Sequence, residues 1–162
     1  MKIPRSKFAT YLNVGTKALP EYARCGDGIT EQTISYNAQT EEEQYIHQDS
    51  ASSDITSYKP TVNSPMTAVT GDPVFEFVDD IRIRRAVLDD ATTDLIFVYA
   101  YKDEVSGALV AERNACSIQI DDFGGAAGES VKLNFTINLK GDAVPGTFLP
   151  NGTGGGSFTE TA

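Results

Sequence analysis

Residues 71–86 carry the clearest helical pattern in the chain, and they read Gly71-Asp72-Pro73-Val74-Phe75-Glu76-Phe77-Val78-Asp79-Asp80-Ile81-Arg82-Ile83-Arg84-Arg85-Ala86. Asp72 suits an N-cap because its carboxylate accepts hydrogen bonds from backbone N–H groups that the first turn leaves unpaired. Pro73 suits the first helical position, where no N–H is needed. Apolar side chains then recur at helical spacing, at Val74, Phe77, Val78 and Ile81. The pattern predicts one α-helix at about residues 72–86.

Phe75 and Ile83 widen the apolar face of this helix beyond what one packing surface needs, so we expect it to contact a second surface. Asp80 and Arg84 are spaced for an i,i+4 ion pair, which contributes roughly 0.2–0.5 kcal/mol. Acidic residues early in the helix and arginines late also suit the helix dipole. The predicted helix is therefore amphipathic with a charged rim.

The composition indicates one globular domain. The chain has 162 residues, of which 40% are hydrophobic and 22% are charged. Its formal charge of −10 disfavours ordinary nucleic-acid binding, because that binding needs Lys and Arg to neutralise phosphates. No apolar run approaches the length of a membrane span. Residues 1–8 are basic but no apolar signal region follows them, so we expect synthesis and initial folding in the cytoplasm.

Residues with catalytic or metal-binding chemistry are sparse. His47 is the single histidine, which excludes two-histidine metal sites, and it has no nucleophile or acidic orienter at a recognisable spacing. The glycine-rich run 124–128 lacks the Lys-Ser/Thr ending of a phosphate loop, and the acidic clusters lack the spacing of a calcium loop. Cys25 and Cys116 are interpreted as two separate structural thiols. We predict no enzyme activity and no catalytic, metal-binding or cofactor-binding residue.

Most of the remaining sequence is typical of strands and turns. Residues 95–101 are continuously apolar, which favours a strand buried on both faces. Residues 130–140 alternate strictly, with one side formed by Val131, Leu133, Phe135, Ile137 and Leu139. The other side of this strand is polar. These two segments are the strongest strand predictions in the chain.

Three weaker strands and a turn region complete the pattern. Residues 29–36 are interpreted as a strand with one wet face, residues 108–113 as the return strand of a hairpin, and residues 115–121 as a further strand. Residues 141–148 are interpreted as turns because of their Gly and Pro content.

A long polar excursion occupies residues 37–65. It contains two short strand-like islands, 44–48 and 55–59, which can pair as a hairpin. We expect residues 1–150 to form a single domain and residues 151–162 to form a flexible Gly-rich tail.

Strands, one helix and a long polar excursion fit a mainly β fold. The class is a β-sandwich or partly closed β-barrel with one flanking α-helix at about 72–86 and a loop or hairpin excursion at about 37–65. The order of features resembles the major tail tube proteins of long non-contractile-tailed bacteriophages, which are relatives of the contractile-tail and type VI secretion tube proteins. Three stretches carry the resemblance: Gly26-Asp27-Gly28-Ile29 through Ser35-Tyr36-Asn37, Thr40-Glu41-Glu42-Glu43-Gln44-Tyr45-Ile46, and Gly71-Asp72-Pro73-Val74-Phe75-Glu76-Phe77 with its arginine-rich helix end.

The resemblance covers roughly residues 26–148 and implies a structural virion protein that forms stacked homohexameric rings. The implied partners are further copies of the chain, a tape measure protein and tail end proteins, and DNA passes through without specific binding. The implied location is the virion tail, assembled in the host cytoplasm, with no membrane contact.

Candidate lumen-facing residues are Glu31, Thr33 and Ser35, on the wet side of the predicted strand 29–36. A conduit must not hold its cargo, and an acidic lining lets DNA slide where a phosphate-binding one retains it. The wet face of residues 131–140 is a second candidate for the lining. Lys132 and Lys140 lie on that face and count against placing all of it in the lumen.

Candidate residues for contacts between subunits fall into two groups. The first lies in the excursion and would add a strand to a neighbour: Tyr45, Ile46, Ile55 and Tyr58. The second lies on the predicted helix: Phe75, Ile83, Arg84 and Arg85. The run Glu41–Glu43 would either meet a basic patch on the next subunit or stay solvated.

Two other classes of function remain open from the residues alone. A β-sandwich binding module on a virion or cell surface would bind a carbohydrate or a protein, and it would show an aromatic platform or a calcium site. This chain has no Trp and its tyrosines are scattered. An enzyme would need a convergent polar site, which one histidine and dispersed carboxylates do not supply.

Overall fold

The computed structural model describes residues 1–161, which form ten strands, one α-helix and two short 3-10 helices. The strands are β1 (Phe8–Asn13), β2 (Tyr22–Arg24), β3 (Thr33–Ser35), β4 (Gln39–Glu43), β5 (Ser52–Ser57), β6 (Thr61–Thr67), β7 (Thr92–Tyr99), β8 (Leu109–Gly124), β9 (Lys132–Pro150) and β10 (Gly155–Glu160). The helix α1 spans Pro73–Arg84, and the 3-10 helices span Arg5–Lys7 and Leu88–Ala91. Within the same residues, no helix has the length and apolarity needed to cross a bilayer.

Six strands close into a barrel in the order β10-β2-β1-β7-β8-β9, because β10 pairs with both β2 and β9. The first half of β9 also pairs with β6, and β6 pairs with β3, so two further strands extend the sheet beyond the barrel. Strands β4 and β5 form a separate two-stranded sheet. All of these pairings are antiparallel. The predicted barrel with a flanking helix is confirmed, in the form of a closed barrel with extra strands.

Strand β7 lies between two apolar cores, as its continuous apolar sequence predicts. Leu95 and Phe97 face the larger core, which also contains α1 and the inner sides of β6, β8 and β9. Ile96 and Val98 face a second core, which is built around Phe148. None of these four side chains of β7 is more than 1% exposed.

The helix begins and ends close to the predicted positions. Asp72 accepts a hydrogen bond from the Phe75 backbone nitrogen at 3.1 Å, and the helix stops at Arg85, which has a left-handed φ of 49°. The side chains that α1 buries are Val74, Val78 and Ile81. Phe77, predicted on the buried face, is only half-buried because it borders an open cleft next to Asn13 and Thr93.

The strands of the second half of the chain are longer than predicted. β8 runs through both segments that were predicted as separate strands, and Asn114, between them, lies opposite a bulge in β9. β9 continues from Lys132 to Pro150, although residues 141–148 were predicted as turns. Residues 151–162 were predicted as a flexible tail, whereas Gly155–Glu160 form β10. These segments form strands because barrel closure gives them pairing partners from distant parts of the chain. Their Gly and Pro content is typical of turns, so the local sequence does not predict the pairing.

The excursion contains a hairpin, but its strands differ from the predicted islands. β4 and β5 pair from Glu43–Ser52 to Gln39–Ser57, so residues 44–48 form part of the turn and not a strand. The side chain of Gln48 holds this turn, because its Oε1 atom accepts from the backbone nitrogen of Tyr45 at 3.0 Å. The excursion also ends earlier than predicted, since β6 begins at Thr61. Only residues 33–35 of the predicted strand 29–36 are paired.

Candidate functional site

The face of the sheet formed by β3, β6, β9 and β8 carries mainly hydroxyl and amide side chains. Directly opposite residues on neighbouring strands point to the same face, so the strand register defines rows of side chains. One row is Ser35, Thr61, Asn138, Ser117 and Thr92, and the next is Thr33, Asn63, Thr136 and Gln119. The two wet faces predicted separately for residues 29–36 and 131–140 are therefore one continuous surface, which we call the polar face.

Hydrogen bonds between side chains fix the geometry of the polar face. The Thr136 hydroxyl donates to an Asp121 carboxylate oxygen at 2.7 Å, and the Asn134 amide donates to Asp122 at 2.6 Å. Because these side chains hydrogen-bond to one another, the face is an ordered hydrophilic surface. Part of its hydrogen-bonding capacity is already used within the chain.

The charged candidates lie at the margins of this surface. Lys132 donates to the Thr67 hydroxyl at 2.8 Å, and Lys140 donates to the Thr92 hydroxyl at 3.4 Å, at the two ends of the alternating segment of β9. Glu31 is exposed and precedes β3. Between the two lysines the face carries no cation, and its charged groups there are the Asp121 and Asp122 carboxylates.

The hairpin formed by β4 and β5, residues 39–57, projects into solvent. Every residue of β5 is exposed, and at the turn Tyr45 is 56% and Ile46 is fully exposed. The Tyr45 hydroxyl donates to Glu43 at 2.7 Å, and this hydrogen bond raises the pKa of Tyr45. Ile55 is also exposed. The hairpin thus satisfies its own polar groups while it leaves its apolar side chains uncovered.

The root of the hairpin is fixed to the sheet. Tyr36 and Tyr58 pack edge to face with ring centroids 6.3 Å apart. Asn37 has a left-handed φ of 48°, and its side-chain amide donates to the Lys59 carbonyl at 3.0 Å. The candidate Tyr58 therefore lies at this root and not with Tyr45 and Ile46 at the tip.

The end of helix α1 forms a basic and apolar protrusion. Arg84 pairs with Asp80 at 2.8 Å as predicted, and Arg82 pairs with Asp79 while it stacks over the Phe123 ring at 3.8 Å. Within residues 1–161, the Arg85 guanidinium makes no ion pair or side-chain hydrogen bond. Ile83 is 59% exposed, but Phe75 packs against the larger core, so Phe75 is the least available of the candidates on the helix.

A cleft beside Asn114, where β9 bulges, was missed by the sequence analysis. It holds about 760 Å³, and its wall includes Tyr36, Tyr58, Glu112, Asn114 and Asp142. Asn114 is 5% exposed, and among the described residues its side-chain nitrogen finds no hydrogen-bond acceptor. The sequence feature that could have indicated this cleft is Asn114, a single amide residue between the predicted strands 108–113 and 115–121.

Cysteine or metal chemistry has little basis in residues 1–161. Both thiols are free there, and burial raises the pKa of Cys25 to about 11 and that of Cys116 to about 12. Both cysteines are therefore protonated and weakly nucleophilic at neutral pH. The same residues contain no group of three or more His, Cys, Asp or Glu side chains suited to a metal ion.

No protein-family model and no curated protein sequence matches this chain. Similar solved structures include the tail of an empty GTA particle with C6 symmetry, with a TM-score of 0.59, 12% identity, and coverage of 88% of this chain and 97% of that one. They also include the sheath/tube terminator of an extracellular contractile injection system, PVC, with a TM-score of 0.52, 8% identity, and coverage of 90% and 96%. The tube-terminating cap of the anti-feeding prophage AFP gives a TM-score of 0.53, 12% identity, and coverage of 91% and 92%. The chain therefore has a tail tube-like fold over nearly its whole length.

Proposed function

We propose that this chain is the tail tube subunit of a long non-contractile-tailed phage or a related particle. Its copies assemble into stacked hexameric rings, and the resulting tube delivers the genome. The observation that carries this proposal is the shared fold with a component of a C6-symmetric tail over 88% of this chain. Since a fold alone does not assign a function, the surfaces of this chain must also suit the role.

The polar face suits the lining of such a tube. Thr33 and Ser35 lie on it, and between Lys132 and Lys140 its charged groups are carboxylates, so it offers DNA phosphates no array of cations. Glu31, which is exposed two residues before Thr33, would add repulsion for phosphates. Lys132 and Lys140 would sit at the margins of the lining, where each already donates to a threonine hydroxyl. A tape measure protein and then DNA would slide past this surface.

The hairpin and the helix end suit contacts between copies. Isolated two-stranded hairpins are marginal in water, so an exposed hairpin with Tyr45, Ile46 and Ile55 uncovered gains stability from a partner. The proposed partner is the next ring. Ile83, Arg84 and Arg85 offer a second contact surface, and tail end proteins would cover these surfaces at the ends of the tube. The protein would act in the virion tail after assembly in the host cytoplasm.

Electron microscopy of the concentrated purified chain tests this proposal. We expect rings or tubes with six-fold symmetry in negative stain, and a mass above that of the monomer in light scattering. A chain that stays monomeric at every concentration contradicts the proposal, and binding of that monomer to a glycan array would favour a surface binding module.

The assignment of the lumen has its own test. Ser35→Cys is labelled with biotin-maleimide before assembly, while the two native thiols react poorly because their pKa values are raised to about 11 and about 12. We expect streptavidin to bind the labelled monomer and to be excluded from the same label in tubes. Streptavidin binding along the tube wall would place the polar face outside.

A further inference from the structure

The cleft at Asn114 lies where the ladder between β8 and β9 is interrupted. Arg113 pairs with Val144 and Ala115 pairs with Lys140, so three residues of β9 lie opposite the single residue Asn114. Gly141 in this bulge has a left-handed φ of 68°. The bulge opens a cleft of about 760 Å³ down to Phe97, a residue of the core. This depression is a built feature of the sheet, since bulges re-aim side chains where pairing ends.

One buried polar atom of a residue that lines the cleft has no hydrogen-bond partner among residues 1–161. Asn114 lines it and is 5% exposed, yet its side-chain nitrogen has no acceptor among residues 1–161. A buried donor without an acceptor costs stability, and a backbone carbonyl from another copy would offset that cost. The Asn114 side chain would have to turn toward the cleft for an occupant to supply that acceptor.

The rim of the cleft is acidic and aromatic. Glu112 and Asp142 line it, and Glu112 accepts a hydrogen bond from the Tyr99 hydroxyl at 2.7 Å. The Tyr36 and Tyr58 rings form the other wall. None of the described lining residues is Lys or Arg. The suitable occupant is therefore a segment that is both basic and apolar.

Residues 85–88 of the chain have this chemistry. Val87 is 68% and Leu88 is 84% exposed, and Arg85 contributes the unpaired cation described above. Among the described residues, the Arg85 and Ala86 carbonyls accept no hydrogen bond. Arg85 and Leu88 both have left-handed backbone angles, with φ of 49° and 54°, which are uncommon for such side chains. The segment thus projects two apolar side chains, one cation and free carbonyls.

The two surfaces lie toward opposite ends of β8. The helix end packs near Ile118, Ile120 and Phe123, whereas the cleft includes Glu112 and Asn114. At about 3.3 Å per strand residue, Asn114 and Ile120 are separated by about 20 Å along the strand. Two complementary surfaces on different sides of one chain make a head-to-tail contact, which closes into a ring when the rotation allows.

We propose that residues 85–88 of one copy dock in the Asn114 cleft of the next copy within a ring. The Asn114 side chain turns to donate to a backbone carbonyl of the segment, Arg85 meets Glu112 and Asp142, and Val87 and Leu88 pack on the tyrosines. This assignment rests on the proposed self-assembly and specifies its lateral contact. The hairpin would then serve the contact between rings.

A charge swap tests the contact. Arg85→Glu and Asp142→Arg each alter an exposed residue, so we expect both variants to fold and each to raise the critical concentration for assembly on the order of tenfold or more. An equimolar mixture of the two should assemble again, because opposite charges meet at every contact of an alternating ring of six. The double variant Arg85→Glu/Asp142→Arg should assemble alone. Arg24→Glu and Glu129→Arg are the matched controls on exposed residues elsewhere.

Asn114→Leu provides an independent arm. Leu removes the unsatisfied donor and should leave the monomer at least as resistant to urea, while ring formation is lost. If the wild-type chain assembles but the single reversals assemble equally well, or the mixture and the double variant stay unassembled, the contact is wrong and the cleft has another occupant. A wild-type chain that never assembles overturns the proposed function together with this contact.

Discussion

The Asp72 carboxylate accepts a hydrogen bond from the Phe75 backbone nitrogen at 3.1 Å while it is only 7% exposed. Burial raises the pKa of Asp72 above its ordinary 3.8, the hydrogen bond from Phe75 opposes this, and the nearby Asp27 and Glu76 raise the pKa further. Asp72 thus stabilises the first turn of α1 as its N-cap, but its carboxylate charge is buried and lies near two other acidic residues.

This balance predicts a pH-dependent difference between two substitutions. Asp72→Ala should lower the free energy of unfolding by about 0.5–2 kcal/mol through loss of the cap. Asp72→Asn keeps the cap and removes the buried charge. The pKa of Asp72 is higher in the folded state than in the unfolded state, so protonation of Asp72 stabilises the wild type. This stabilisation is fully present below pH 3.8 and is lost as the pH rises through the folded pKa. Asp72→Asn should therefore gain stability relative to the wild type over that rise.

Urea unfolding of the wild type and of Asp72→Asn between pH 3 and pH 7 measures this difference in the free energy of unfolding. A constant difference across that range, or one that grows toward low pH, would contradict the inferred balance at Asp72.

Neighbouring isoleucines on α1 should separate folding from assembly. Ile81 is 2% and Ile83 is 59% exposed. Ile81→Ala should cost about 2–5 kcal/mol of stability, because it removes a buried side chain and leaves a cavity. Ile83→Ala should change stability by no more than about 0.5 kcal/mol and should weaken assembly through the helix surface.

Phe77→Ala should cost less than the ~3–5 kcal/mol typical of a fully buried aromatic, since Phe77 is only half-buried.

Urea midpoints and critical concentrations for assembly check these helix variants together. Equal stability of the Ile81 and Ile83 variants would remove the distinction between an inner and an outer face. Unchanged assembly of a folded Ile83→Ala chain would remove that residue from the interface.

Features of the fold that depend on residues close in sequence could be predicted. Features that depend on closure of the barrel could not. Asp72, Pro73 and the apolar spacing predicted α1, and strict alternation predicted the first part of β9. Gly156 misled the prediction, because its glycine-rich surroundings are typical of a linker. In the structure Gly156 lies in β10 opposite Pro150, where only a hydrogen fits beside Phe148. Its glycine serves close packing and not flexibility.

The seam between β9 and β10 should therefore be sensitive to a single methyl group. A Cβ atom at Gly156 would lie 2.5 Å from the Phe148 ring and 2.6 Å from the Leu149 carbonyl oxygen. Gly156→Ala should destabilise the fold by about 1–3 kcal/mol through overpacking. Gly26→Ala, where no atom lies within 4 Å of the added carbon, is the matched control. Equal urea midpoints for the two variants would mean that β10 does not close the barrel.

The candidate site was predictable to a similar degree. The wet residues Thr33 and Ser35 were found by alternation, but only the register through β6 joins them to the wet side of β9. The cleft at Asn114 depends on a bulge, which arises from pairing between distant segments and leaves little local trace. Polar Glu41–Glu43 concealed β4, because acidic residues are depleted in strands.

The hairpin formed by β4 and β5 gives the last prediction, because it separates assembly from folding. Its strands are almost wholly exposed, and Gln39 lies opposite Ser57 at its base. Replacing residues 40–56 by Asn-Gly joins these two residues with a type I′ turn. Since the removed side chains are exposed, unfolding free energy should change by about 0.5 kcal/mol or less. Tubes should be lost, because the exposed Tyr45, Ile46 and Ile55 no longer bridge to the next ring.

Amide exchange tests the same mechanism without a deletion. A two-stranded hairpin in water is marginal, so the amides of β4 and β5 should exchange rapidly in the monomer, and packing against the next ring should protect them in tubes. Ile46→Ser at the turn should weaken assembly, whereas Leu19→Ser, at a site 79% exposed in the β1–β2 loop, should not. Tubes formed by the deletion variant, or strong protection of the hairpin already in the monomer, would show that ordering of this hairpin is not what couples one ring to the next.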